Sequence, residues 1–300
     1  MGQDERHRAP VGAIGAGGNK LRLSLGCWAS FALFAVLASL SASAPAGPAD
    51  DRERVIRFFE QRFPDVALDD YVYGALIASP GGRQQYEQIM EFPPFLGDIE
   101  TGRKVWERPF RNGNTFASCF PNGGRNVLGN YPYFDEALSE LVTFENALNA
   151  CLRVNGEAEF AYGERQPMGV LTAYARTLSD GMRINVRVDS PAALAKYAAG
   201  RELFFRRIGQ MNGACAGCHL YNAGKIMRME VLSPVLGQAT HWPIFRGGQE
   251  LMTFQGRFKR CMEQMRAVPY GYNSEEWNNL EYFLTAISNG LPLKSSVFRK

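Results

Sequence analysis

Residues 214–219 read ACAGCH, and residues 115–120 read TFASCF. The first string contains Cys-X-X-Cys-His, the attachment signature of c-type haem. Cys215 and Cys218 stand one helical turn apart, so each can form a thioether to the porphyrin. His219 follows directly and points at the iron as proximal ligand. A thioredoxin-type cysteine pair follows a strand, whereas a helix-like segment precedes this one. A zinc site needs four ligands, and no second Cys/His pair is present. The string therefore predicts one covalently bound haem c. TFASCF has the same layout with Phe116 for the first cysteine and Phe120 for the histidine. Only Cys119 is kept.

The two strings belong to longer matching blocks. GRKVWERPFRNGNTFASC runs from Gly102 to Cys119, and GRELFFRRIGQMNGACAGCH runs from Gly200 to His219. Downstream, Leu171, Tyr174, Leu178 and Gly181 match Leu280, Phe283, Ile287 and Gly290 at a constant offset of 109. Cys151 in NACLRV matches Cys261 in KRCMEQ at an offset of 110. A period of a whole domain is a tandem duplication, not a solenoid.

Each copy reads as mainly helical. Ser190-Pro191 is a helix start, a cap followed by proline at the first helical position. Small and apolar residues then recur through Leu203, which predicts a helix running into the haem motif. Trp277, Leu280, Leu284 and Ile287 share one face of a closing helix. Asn273 and Glu276 suggest its capping box, and Gly290 with Pro292 its end. The expected fold is mainly α: two tandem cytochrome c-like domains, the first without haem, plus a helical N-terminal extension. The expected boundaries are 1–44 for a cleaved signal peptide, 45–189 for the extension and haem-less domain, and 190–300 for the haem domain with the active site.

The signal-peptide reading rests on a basic stretch ending at Lys20 and Arg22, an apolar run over 23–40, and small Ala42 and Ala44 before a Pro/Gly break. Its implication is export to the periplasm, where disulfides persist. The formal net charge of +3 comes mostly from this segment, so no nucleic-acid partner is expected.

The distal iron ligand is less determined. Met252, Met262, Met265 and His241 are candidates, methionine being common in electron carriers. Cys261 is the rival. Cys119 and Cys151, one relic at each end of the decayed site, can form a disulfide, which leaves Cys261 as the odd cysteine. In a two-haem ancestor Cys151 and Cys261 would have held the same place, so the repeat favours Cys261 as ligand or reactive thiol. Lys225, Arg228, Arg246, Arg257, Lys259, Arg260 and Arg266 make this half basic. Arg257 stands one turn before Cys261 if FQGRFKRCMEQM is helical, placed to bind an oxyanion.

CAGCH, THWPIFR, the run from Gly256 to Pro292 and the decayed repeat together resemble the SoxA family, the larger subunits of SoxAX cytochromes of sulfur oxidation. The resemblance implies an L-cysteine S-thiosulfotransferase: oxidative conjugation of thiosulfate to a cysteine of a SoxYZ-like carrier protein, with electrons passing through haem to a soluble cytochrome c. It implies a heterodimer with a SoxX-like small cytochrome c. It implies His219 and Cys261 as axial iron ligands, Cys261 commonly as a persulfide, and Arg257 as a substrate-binding group. Some members bind two haems; this sequence has one site. The alternative is a simple periplasmic electron-transfer cytochrome c.

Overall fold

The same order of elements appears twice along the chain, in a computed structural model that describes residues 47–163, 167–246 and 250–294. The predicted signal peptide lies outside these residues. Three helices come first: α1 (Pro48–Arg62), α2 (Pro80–Glu91) and α3 (Leu96–Glu107), with 3₁₀ turns over Leu68–Ala78 between α1 and α2. The hairpin β1 (Tyr133–Asp135) and β2 (Glu140–Val142) leads into α4 (Phe144–Val154), then α5 (Met168–Thr177) and α6 (Pro191–Phe205). After the haem motif come the small hairpin β3 (Ile226–Met227) and β4 (Glu230–Val231), the hairpin β5 (Ile244–Arg246) and β6 (Glu250–Met252), α7 (Phe254–Gln264) and α8 (Glu275–Ile287). Each hairpin is antiparallel. Among the described residues no helix is long and apolar enough to cross a membrane.

The repeats match in detail. Thr143 caps α4 by accepting from Asn146 N at 3.2 Å, and Thr253 caps α7 by accepting from Gly256 N at 3.1 Å. A threonine cap satisfies an amide that the helix itself leaves open. A two-helix crossing anchors each copy, α3 on α5 and α6 on α8. Glycine permits both crossings. A Cβ on Gly102 would lie 2.0 Å from the carbonyl oxygen of Val170, and one on Gly200 would lie 1.9 Å from that of Asn279.

Two local expectations differ from what the chain does. α6 starts at the Ser190 cap as expected, with Ser190 Oγ accepting from Ala193 N, but it ends at Phe205. The chain then turns back through paired Ile208 and Gly213 before reaching Cys215. Main-chain bonds at Gln210 and Met211 tie that turn to 265–266, the end of α7. The cap of α8 is Ser274, which accepts from Trp277 N at 3.3 Å; Asn273 has left-handed φ and its amide donates instead to Gln255. The middle of each copy holds only short antiparallel hairpins between its helices.

α8 is the most enclosed helix among those described. Its predicted face is buried, and so are Asn278, Tyr282 and Phe283 on its other sides. The reason is topological: α6, α7, α1 and the first repeat all pack round it. The extension also reaches the haem motif. Asp51 is buried, pairs with Arg201 and accepts from Tyr197 Oη, which fixes α1 to α6. Arg62 at the end of α1 donates to the Ala223 carbonyl at 2.7 Å, four residues after His219.

Candidate active site

Hydrophobic periodicity orients α7. Phe254, Phe258 and Met262, each four apart, are buried and define the core face. Arg257 and Cys261 lie one turn apart on the adjoining, partly buried side. The haem motif faces them. Burial, then the proximity of Cys261, pushes the Cys215 thiol up to about 12. Burial and Cys261 also raise Cys218, and the Arg257 guanidinium partly offsets that. The structure therefore brings Cys215, Cys218, Cys261 and Arg257 into one site.

His219 lies in a short helical turn, Gly217–Tyr221. Its Nδ1 is 2.9 Å from the Ser233 carbonyl oxygen, which can only accept, and 3.1 Å from Gln238 Nε2, whose two hydrogens have other acceptors, so Nδ1 carries the hydrogen. That assigns Nε2 as the nitrogen for a metal, the usual way an outer hydrogen bond fixes a ligating imidazole. The Gln238 amide donates to Ser233 Oγ at 2.6 Å and to the Pro234 carbonyl at 3.1 Å, holding this loop in place. Ser233 and Gln238 were not identifiable from spacing, because they approach His219 only after the chain has turned through β3 and β4.

The first repeat shows the same place without the chemistry. Trp106 stacks on Phe116 and Phe120 at 5.7 and 5.5 Å between ring centroids, and Phe110 meets Phe116 edge-on at 5.0 Å. Phe116 and Phe120, which stand where Cys215 and His219 stand in the second copy, are buried. Aromatic rings fill this volume. Cys119 and Cys151 are joined as a disulfide with a Cα–Cα distance of 5.8 Å.

The second site is built for a group the chain does not supply. Arg257 Nη1 is buried and has no hydrogen-bond partner. Nature seldom leaves such a donor orphaned. Paired attachment cysteines, a histidine with its tautomer fixed and a buried guanidinium suit a covalently held haem with an anion beside it. Of the other candidate distal ligands, Met252 and Met262 are buried in the core, and Met265 packs against Gly213. His241 is buried between Thr240 and Trp242.

Fold and site together define a c-type cytochrome with a cysteine and an arginine set beside its haem position. The model of the SoxA/TsdA cytochrome c domain family matches residues 101–184 and 199–293, one segment in each repeat, and the chain belongs to that family and binds haem c. It is 41% identical over 244 residues to the L-cysteine S-thiosulfotransferase subunit SoxA of Chlorobaculum tepidum, covering 81% of this chain and 85% of that one. It is 39% identical over 277 residues to the protein of the same name from Allochromatium vinosum, covering 89% of this chain and 98% of that one. Among solved structures it resembles SoxXA from P. pantotrophus, with a TM-score of 0.63 and 28% identity over 69% of this chain and 79% of that one.

Proposed function

We propose that this chain is the larger subunit of an L-cysteine S-thiosulfotransferase. It joins thiosulfate oxidatively to a cysteine thiol of a SoxYZ-like carrier protein. Thiosulfate and the thiol become a cysteine S-thiosulfonate, one S–S bond forms, and one proton and two electrons leave. Cys215, Cys218, His219 and Cys261 would hold a single haem c, which would supply the one-electron redox chemistry. A SoxX-like small cytochrome c is the partner subunit and a soluble cytochrome c the final acceptor. The apolar and basic features of residues 1–44 support export to the periplasm as a cleaved signal peptide.

The residues of the chain supply binding and orientation. Fixed positive charge from Arg257 draws a dianion into a partly buried site. Its planar fork suits the oxygens of a thiosulfate sulfonate group. Cys261, one turn on, puts a thiolate or persulfide sulfur next to the substrate sulfur. Ser233 and Gln238 hold the His219 ring in one orientation. The aromatic filling of the first repeat confines the chemistry to the second.

The observation that carries this reading is the buried, unpartnered Nη1 of Arg257 one turn before Cys261. Peptide mass mapping of the protein from a host with haem-maturation machinery tests it. The expected map has one haem on the peptide holding Cys215 and Cys218, Cys119 joined to Cys151, and a reductant-labile sulfur on Cys261. A freely alkylated, unmodified Cys261 together with no thiosulfate-dependent turnover favours the electron carrier.

A further inference from the structure

The two repeats meet at a cavity of about 30 Å³, room for a water molecule. Its lining includes two acids and a guanidinium from three helices: Glu145 from α4, Arg176 from α5 and Glu281 from α8. Thr172 Oγ1 also lies there, buried and without a hydrogen-bond partner. At the repeat offset of 109, Thr172 takes the place of Glu281, and Arg176 the place of Thr285. The charges therefore break the internal symmetry. The first repeat gives the cation and one acid, and the second gives the other acid.

One guanidinium cannot neutralise two carboxylates in this partly buried space. Burial raises both acids; for Glu281 the nearby Glu145 adds to it, and the Gln255 hydrogen bond and the Arg176 charge offset only part of the rise. Burial also lowers Arg176, to about 10, against the pull of Glu145, Glu281 and Asp180. Like-charged carboxyls in one low-dielectric space share a proton. Tyr131 also lines the cavity; burial pushes its phenol up to about 12, so it stays neutral. Burial raises the Tyr162 phenol, and the charge of Glu145 adds to the rise.

Glu281 is wired to the thiol site. Gln255 Nε2, in the first turn of α7, donates to Glu281 Oε2 at 3.1 Å and to Asn278 Oδ1 at 2.9 Å. Gln255 Oε1 accepts from Asn273 N at 2.7 Å. Gln255 is thus held on three sides, two residues before Arg257. Arg176 is tied in turn to the Trp242 carbonyl at 2.8 Å, just ahead of β5.

We infer that Glu281 is a positioning residue: through Gln255 it sets the first turn of the helix that carries Arg257 and Cys261, in a proton-sharing cluster completed by Glu145 and Arg176 of the haem-less repeat. The consequence for the thiosulfate reaction rests on the function proposed above; the positioning itself does not. The decayed repeat thereby keeps a task. With one proton on the acid pair the clamp is closed. Losing that proton strengthens the Gln255 bond to Glu281 but leaves an ionised acid in a partly dehydrated space against Glu145; burial and that repulsion outweigh the bond, and α7 loosens.

The test is hydrogen exchange of residues 254–264 in the haem-loaded protein from pH 6 to 9.5, corrected for the intrinsic rate, alongside thiosulfate turnover. Wild type should keep α7 protected at low pH and lose protection as the acid pair ionises. Glu281→Gln, which mimics the protonated acid, should stay protected with no step. Gln255→Leu should lose protection at every pH and raise KM for thiosulfate about tenfold, with kcat changed less. If Glu281→Gln keeps the wild-type step, or Gln255→Leu leaves α7 protected, the positioning role is overturned. So it is if Glu281→Gln only lowers the melting temperature and does not move the pH profile. Absence of thiosulfate turnover in wild type would instead sink the proposed function and leave the exchange result to be read on its own.

Discussion

Gly102 and Gly200 hold the same place in the two repeats, each under a backbone carbonyl that a Cβ would strike at about 2 Å, Val170 in one and Asn279 in the other. Backbone cannot yield as a flexible side chain can, so alanine must push the helices apart. Gly200→Ala should destabilise the protein by about 3 kcal/mol. It should also disturb haem incorporation, because α6 leads to the turn before Cys215. Gly102→Ala should cost a similar amount while leaving the haem spectrum intact. Urea unfolding with absorption spectra of both variants checks the pair.

The disulfide closes a loop between residues 32 apart in the haem-less repeat. Its removal by Cys151→Ser should lower stability by about 2–4 kcal/mol. Haem content should be unchanged, since the aromatic packing of Trp106, Phe116 and Phe120 remains. Denaturation with and without reductant measures the first, and the pyridine haemochrome spectrum the second.

Arg257 has a buried nitrogen with no partner, so its truncation leaves no acceptor stranded by that atom. Arg257→Met should fold with a melting temperature close to wild type and lose about a hundredfold in kcat/KM for thiosulfate. Arg257→Lys should recover little of it, because a point charge does not reproduce the fork. Steady-state kinetics with thiosulfate and a carrier thiol decide this.

Stability should depend on pH through Glu281. Its carboxyl is raised from 4.5 to about 8, by burial and then Glu145. The folded chain therefore holds a proton that the unfolded chain releases, and stability falls as pH rises between those values. The slope is at most about 1.4 kcal/mol per pH unit and ends once the folded acid has ionised. Glu281→Gln should flatten it. Chemical denaturation at pH 5, 6, 7 and 8 reads the slope directly.

Much of this arrangement was legible in the sequence because it is local or repeated. Cys215, Cys218 and His219 announce their chemistry by spacing. The offset of Cys151 and Cys261 exposed the duplication, and helical spacing put Arg257 beside Cys261. Other features depend on three dimensions. Glu281 sits in the run LEYFLTAI, where a lone acid suggests a solvated face, and only the first repeat packed over it takes it partly out of water. Gly102 and Gly200 marked the start of each block, but their reason is a helix crossing between residues far apart in the chain. The cap of α8 fell to Ser274 because Asn273 turned left-handed, and no composition rule separates two neighbouring capping residues.

The central claim is that Cys261 takes part in joining thiosulfate to a thiol. The most direct measurement is formation of the S-thiosulfonate, by mass spectrometry of the carrier, using haem-loaded wild type and Cys261→Ser with the small cytochrome subunit present. Product from wild type, and a rate at least about a thousandfold lower from Cys261→Ser, is the predicted result. A Cys261→Ser protein that makes product at the wild-type rate would contradict it.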